Sequence, residues 1–219
     1  MRMSGTEVVS IELAATISSA AADALALRVP PPLTMDRNAS GEGHIEVLAF
    51  EMRGLGLGWP LPRLDYLEVL YRLGAALDGV PAWLVLRCDV DRALVRTMAA
   101  AVIRYPVRAA AIQLEHGAGS TITLRAETAS DTLSATLSPA APGEVPPVRA
   151  PRRTFVVDRD RLFEVPWDER PAPERTFATV RDVESSACRS IFGAPVTFAS
   201  TAVVHRGRTH ICGRARAFA

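Results

Sequence analysis

Glu46 and Glu68 are the first candidates for chemistry. Each is the single acid in an otherwise mostly apolar run, His44-Ile45-Glu46-Val47-Leu48-Ala49-Phe50 and Tyr66-Leu67-Glu68-Val69-Leu70-Tyr71. Read as strands, Glu46 shares a face with Leu48 and Phe50, and Glu68 with Tyr66 and Leu70. The opposite faces are apolar as well. A carboxylate buried there is costly unless it is paired or protonated. A carboxyl whose pKa is raised in this way is suited to moving protons near neutral pH. The plainer alternative is a Glu that pairs with one of the many arginines, and both readings stay open. Arg108, just past the Tyr105-Pro106-Val107 corner, is the candidate cation for a carboxylate or enolate oxygen. Its alternative is a solvated arginine at a strand end. Tyr105 reads first as a packing residue with a satisfied hydroxyl.

The chain has no lysine: all 25 of its basic residues are Arg. A Schiff base through a lysine side chain is therefore closed to it, and Arg is too basic to replace it. GC-rich coding would produce the same bias, because Ala and Pro are abundant too.

Other signals carry less. His205, His210 and Cys212 match no standard zinc spacing and read as a surface hairpin, so no metal is expected. Arg206, Arg208, Arg214 and Arg216 lack a recognition helix or aromatic platform and read as solvated, so no nucleic acid is expected. Gly54-Leu55-Gly56-Leu57-Gly58 runs into Trp59-Pro60 instead of a helix start, which argues against a dinucleotide site. No Gly-x-Ser-x-Gly elbow is present. No cofactor is expected.

The 219 residues suit one domain, 1–219, with 48% apolar and 22% charged residues and a net charge of +1. That balance favours neither nucleic acid nor an anionic membrane. Apolar runs are too short to span a bilayer, and Glu7 and Glu12 argue against a signal peptide. Three cysteines, Cys88, Cys188 and Cys212, without a C-x-x-C pair fit reduced thiols in a cytoplasm.

These residues must be positioned by many short strands. Val9, Ile11 and Leu13 alternate with Ser10 and Glu12. An Ala-rich helix is expected at Ser18–Arg28, stopped by Pro30, Pro31 and Pro32, with a polar turn at Asp36–Gly43. Strands are expected at His44–Met52, Leu64–Leu73 and Ala82–Cys88. A helix capped by Asp89 or Asp91 should run to Tyr105 and bury Val90, Leu94, Met98, Ala101 and Tyr105. Strands resume at Val107–Leu114, Thr121–Thr128 and Thr132–Leu137. Pro139–Pro151 reads as a surface loop, and Ser185–Phe192 as a short helix. Val196–His205 and Thr209–Phe218 are expected to pair about Arg206-Gly207-Arg208. The whole predicts a mainly β, α+β fold: a closed or cone-like antiparallel β-barrel with a few flanking helices around a pocket.

Residues Val29 to Leu114 resemble the acetoacetate decarboxylase-like superfamily. The resemblance rests on Val29-Pro30-Pro31-Pro32-Leu33, the strand holding Glu46, Tyr66-Leu67-Glu68, the strand Ala82 to Asp91, and Tyr105-Pro106. It implies that Glu46 and Glu68 are pocket carboxylates and that Tyr66, Tyr105 and Val107 lie beside the substrate. The family's Schiff-base lysine falls on Val107, its second lysine on Arg108, and its helix Arg and Glu on Ala100 and Ala101. The resemblance implies a homo-oligomer acting on a carbonyl-bearing, polyketide-like metabolite. Without the amine, the expected reaction is isomerisation, dehydration or cyclisation, with Glu46, Glu68 and Arg108 as catalytic residues. The rival reading is a non-catalytic relative that kept the cavity for binding alone.

Overall fold

The runs expected as strands at His44–Met52, Leu64–Leu73 and Ala82–Cys88 are mostly apolar on both faces, and such strands must lie inside the molecule. The computed structural model describes residues 2–56, 63–140, 152–170 and 172–218. Strand β1 (Arg2–Ile17) leads into helix α1 (Ser19–Ala26), then β2 (Leu33–Met35), β3 (Gly43–Gly56), β4 (Leu64–Leu77) and β5 (Val80–Val90). Helix α2 (Ala93–Val102) and β6 (Val107–Ala109) precede the meander β7 (Ala111–His116), β8 (Ile122–Glu127) and β9 (Thr132–Pro139). There follow β10 (Arg153–Asp158), β11 (Arg161–Val165), β12 (Trp167–Glu169), β13 (Glu174–Ser185), α3 (Ser186–Phe192), β14 (Thr197–Phe198), β15 (Thr201–Gly213) and β16 (Arg216–Ala217).

The main path of the sheet runs β16-β11-β10-β5-β4-β3-β1-β15-β13-β9-β8-β7. No pairing joins its two ends among the described residues, so the hydrogen bonds do not close a barrel. Nor is it wholly antiparallel, because β5 pairs parallel with both β10 and β6. The mainly β character, with three α-helices among the described residues, is as expected.

Each face of the central strands builds its own core. Val9, Ile11, Leu13, Val47, Val69 and Tyr71 join β7–β9, α1 and α3 in the first. Leu48, Phe50, Met52, Leu70 and Cys88 join α2 in the second, with Val165 and Cys212. Glu46 and Glu68 fall, by alternation, on the second face.

Two paired irregularities set which side chains reach that face. In β1, Met3 belongs to the second core but Val9, Ile11 and Leu13 to the first, across a register shift between Glu7 and Val9. In β15, Ala202 and Val204 belong to the first core and Cys212 to the second, across Gly207. Gly207 has φ 72°, a backbone shape that favours glycine, and a Cβ there would meet Pro173 at 3.1 Å. Such bulges re-aim side chains without ending a strand. The expected hairpin at Arg206-Gly207-Arg208 is therefore corrected: Thr201–Gly213 is one continuous strand, paired to β1.

Helix α2 also departs from expectation. It begins at Ala93, and its N-cap is Arg92 with no side-chain cap bond. Asp89 pairs with Arg87, and Asp91 accepts from the Leu67 amide instead. The buried helix residues are Val95, Ala99 and Val102, while Leu94 is 52% exposed. Met98 packs partly on the second core. The stripe drawn through Leu94 and Ala101 is thus off by one residue, because Arg104 turns left-handed (φ 60°) and separates Tyr105 from the helix. Val95→Ala should cost about 2 kcal/mol and Leu94→Ala under about 0.5, measured by urea unfolding.

Val107–Leu114 divides at Ala110 into β6, paired to β5, and β7, paired to β8. Most of the Pro139–Pro151 loop, and residues 57–62 with Trp59-Pro60, lie outside the described residues. Among the described residues no helix is long and apolar enough to cross a membrane.

Candidate functional site

Glu68 sits in β4 opposite Phe50 of β3 and Val90 of β5. It is 5% exposed. Its Oε1 accepts a hydrogen bond from the Cys88 thiol at 3.2 Å. Burial raises its pKa to about 7, against the lowering effect of hydrogen bonds from Cys88 and Tyr66, and the Glu7 charge adds to the rise. In turn, burial and the Glu68 charge push the Tyr66 hydroxyl and the Cys88 thiol well up, so both act as neutral donors.

Glu68 lines a narrow cavity with Tyr66, Phe50, Met98, Trp167, His210 and Cys212. Its volume is about 30 Å³, enough for about two water-sized groups. Trp167 also lines an open cleft of about 620 Å³, together with Arg152, Arg153, Arg214 and Arg216. Arg153 is held by Glu164 at 2.7 and 2.8 Å, and Arg152 lies 3.5 Å from Asp36. Arg214 and Arg216 are exposed.

Around this cavity runs a buried polar network. Glu7 accepts from Arg208 Nε at 2.8 Å, and its other oxygen lies 2.8 Å from His210 Nδ1. Arg208 also donates to Ser10 at 3.1 Å and lies 3.5 Å from Glu12, which His205 approaches at 3.0 Å. Burial would raise Glu7, but the His210 hydrogen bond and the Arg208 charge outweigh it and hold the group at about 2. Glu12 is likewise brought to about 2, by His205 and Arg208 against burial.

The sequence expectations fare unevenly here. Glu46 is buried, as expected, but it is ion-paired with buried Arg72, which stacks on Trp83. It lines a different cleft, of about 760 Å³, with His44, Trp83 and Phe198. Glu46 stands opposite Arg72 and Glu68 opposite Phe50, so the acids lie four residues apart along the face, about 13 Å at strand spacing. The structure does not bring them into one cavity, which corrects the paired-acid expectation. Arg108 is exposed and lines neither cavity, because β6 turns it outward; the expected role for it is corrected too. Tyr66 lines the Glu68 cavity. Tyr105 and Val107 pack on the second core without lining the cavity. The Tyr105 hydroxyl is buried with no hydrogen-bond partner among the described residues.

Sequence reasoning missed Glu7, Trp167 and His210. It also placed His205, His210 and Arg208 on a surface hairpin, whereas all three are buried. Glu7 was visible as an acid amid apolar residues. Nothing local marked the bulges that turn Glu7 and His210 toward Glu68.

A family model described as an uncharacterized conserved protein matches residues 19–177. No curated protein matches the chain. Solved structures show the acetoacetate decarboxylase-like fold over the whole chain. One from a study of acetoacetate decarboxylase has a TM-score of 0.74 at 15% identity, covering 100% of this chain and 89% of that one. The acetoacetate decarboxylase of Legionella pneumophila gives 0.72 at 12% identity, covering 99% and 87%. The enduracididine biosynthesis enzyme MppR complexed with pyruvate gives 0.71 at 15% identity, covering 99% and 89%.

Proposed function

The chain belongs to the DUF2071 family, and from its fold and the Glu68 cavity we propose that it is an enzyme of proton transfer on small carbonyl compounds. The observation that carries this reading is a carboxyl buried among apolar and aromatic walls and brought to about 7. Such a group is protonated often enough to donate, and ionised often enough to be reprotonated. No lysine is available, so the proposed chemistry uses no lysine Schiff base. Glu68 gives its proton to the carbonyl oxygen as the neighbouring carbon loses one, and an enol forms. Keto–enol isomerisation, dehydration beside a carbonyl and aldol-type cyclisation can each begin with this step.

The cavity admits only the reacting end of a substrate. The 620 Å³ cleft beyond Trp167 has the volume of an ordinary ligand pocket. Its arginines suit a carboxylate on the rest of the molecule. MppR, similar in fold, was solved with pyruvate, a small molecule of this kind and a convenient probe.

Deuterium entry into the pyruvate methyl group in D2O, followed by proton NMR, tests the reading. Exchange should exceed the buffer background and fall about tenfold per unit above about pH 7, as Glu68 loses its proton. A binding-only relative would show no exchange above background.

A further inference from the structure

We propose that His210, held by Glu7, is the base that works opposite Glu68 in the same cavity. This deepens the proton-transfer reading and rests on it. His210 is 3% exposed and lines the cavity with Glu68. Its Nδ1 lies 2.8 Å from a Glu7 oxygen. Its Nε2 is buried and has no hydrogen-bond partner among the described residues. A buried polar atom without a partner is costly, so such an atom in a cavity wall marks a place where a ligand can bond.

The Glu7 contact selects the tautomer of the neutral ring. Arg208 donates to the other side of Glu7 at 2.8 Å and keeps it a carboxylate. A carboxylate can only accept, so in its neutral form the His210 ring donates its Nδ1 proton to Glu7 and carries the lone pair on Nε2. Carboxylate-to-imidazole bonds of this kind fix both tautomer and ring orientation. Trp167 meets the imidazole edge-on at 3.7 Å between ring centroids, and Phe50 stacks on it at 6.5 Å, so the ring has little freedom to turn.

The two groups complete one balanced step. Nε2 of His210 takes a proton from the carbon beside the carbonyl, and that C–H electron pair becomes the new C=C bond. The carbonyl π pair moves to oxygen, which takes the proton of Glu68. The products are an enol, a His210 imidazolium beside the Glu7 carboxylate, and a Glu68 carboxylate. Reversal returns both protons, and no other reactant is needed. Glu7 is a positioning residue: it acts through His210.

The test is His210→Asn, whose side-chain amide can still donate to Glu7 but has no atom at the Nε2 position. Pyruvate methyl exchange should fall about 100-fold or more, with the melting temperature within a few degrees of the parent. Exchange within threefold of the parent would overturn the assignment while leaving the proton-transfer reading intact. Absence of exchange in the parent protein would instead overturn that reading. Should the variant fail to fold, long-range proton–nitrogen NMR of the parent decides the matter. A proton on Nδ1 and none on Nε2 is expected; a proton on Nε2 of the neutral ring would overturn the proposal.

Discussion

Glu68→Gln should lower carbonyl-proton exchange by a factor of about 10² to 10⁴, the usual contribution of a positioned acid. The same variant should be more stable than the parent above pH 7. The sign follows from linkage. The Glu68 pKa is about 7 in the folded protein against an ordinary 4.5, so between those values the folded chain binds more protons than the unfolded chain. Stability must then fall as pH rises from 4.5 to 7 and level off beyond. The gap corresponds to about 3 kcal/mol. Gln keeps the shape and can still accept from Cys88, but it has no charge to bury. Urea unfolding at pH 5 and pH 8 checks this: the variant's advantage should appear at pH 8 and shrink at pH 5. Gain of stability with loss of turnover would identify a residue kept for chemistry at the expense of the fold.

Arg87→Ala is expected to be the most damaging single change in the sheet, about 3–5 kcal/mol. Arg87 is 3% exposed and lies between two carboxylates. It donates to Asp89 at 2.7 and 2.8 Å and to Asp131 at 2.7 and 2.6 Å, joining β5 to the turn between β8 and β9. Hydrogen bonding to Arg87 holds Asp131 at about 2, whereas burial raises Asp89. Without the guanidinium, both acids would be left buried with no cation, although Asp131 would keep its hydrogen bonds from Thr128 and Ser130. Acid should then relieve the variant, because protonation removes the uncompensated charges. The cost should be larger at pH 8 than at pH 4 in denaturant unfolding, and a cost independent of pH would contradict this account of the cluster.

Much of the fold was legible because strands β3, β4 and β5 write their burial on both faces, and a lone charge in such a strand is conspicuous. Glu68 was found that way. Glu46 gave the same signal, yet its charge is met by Arg72, a residue in the next strand; pairing across strands is not written in either strand alone. The proline after Tyr105 marked the end of the α2 region, but not the left-handed turn at Arg104 that shifts the helix phase. The greatest loss came at Gly207. Two arginines around a glycine have the composition of a turn, and the same glycine serves equally in a bulge. Read as a turn, it sent His210 and Arg208 to the surface. Read as a bulge, opposite the irregularity after Glu7, it brings them beside Glu68.

Everything proposed for the cavity depends on Glu68 holding a proton near neutral pH. Carbon-13 NMR of protein labelled at glutamate side-chain carboxyls, with Glu68→Gln to assign the resonance, measures this directly. The account predicts a Glu68 midpoint near 7. A midpoint near the ordinary 4.5 would mean a solvated carboxylate and would contradict it.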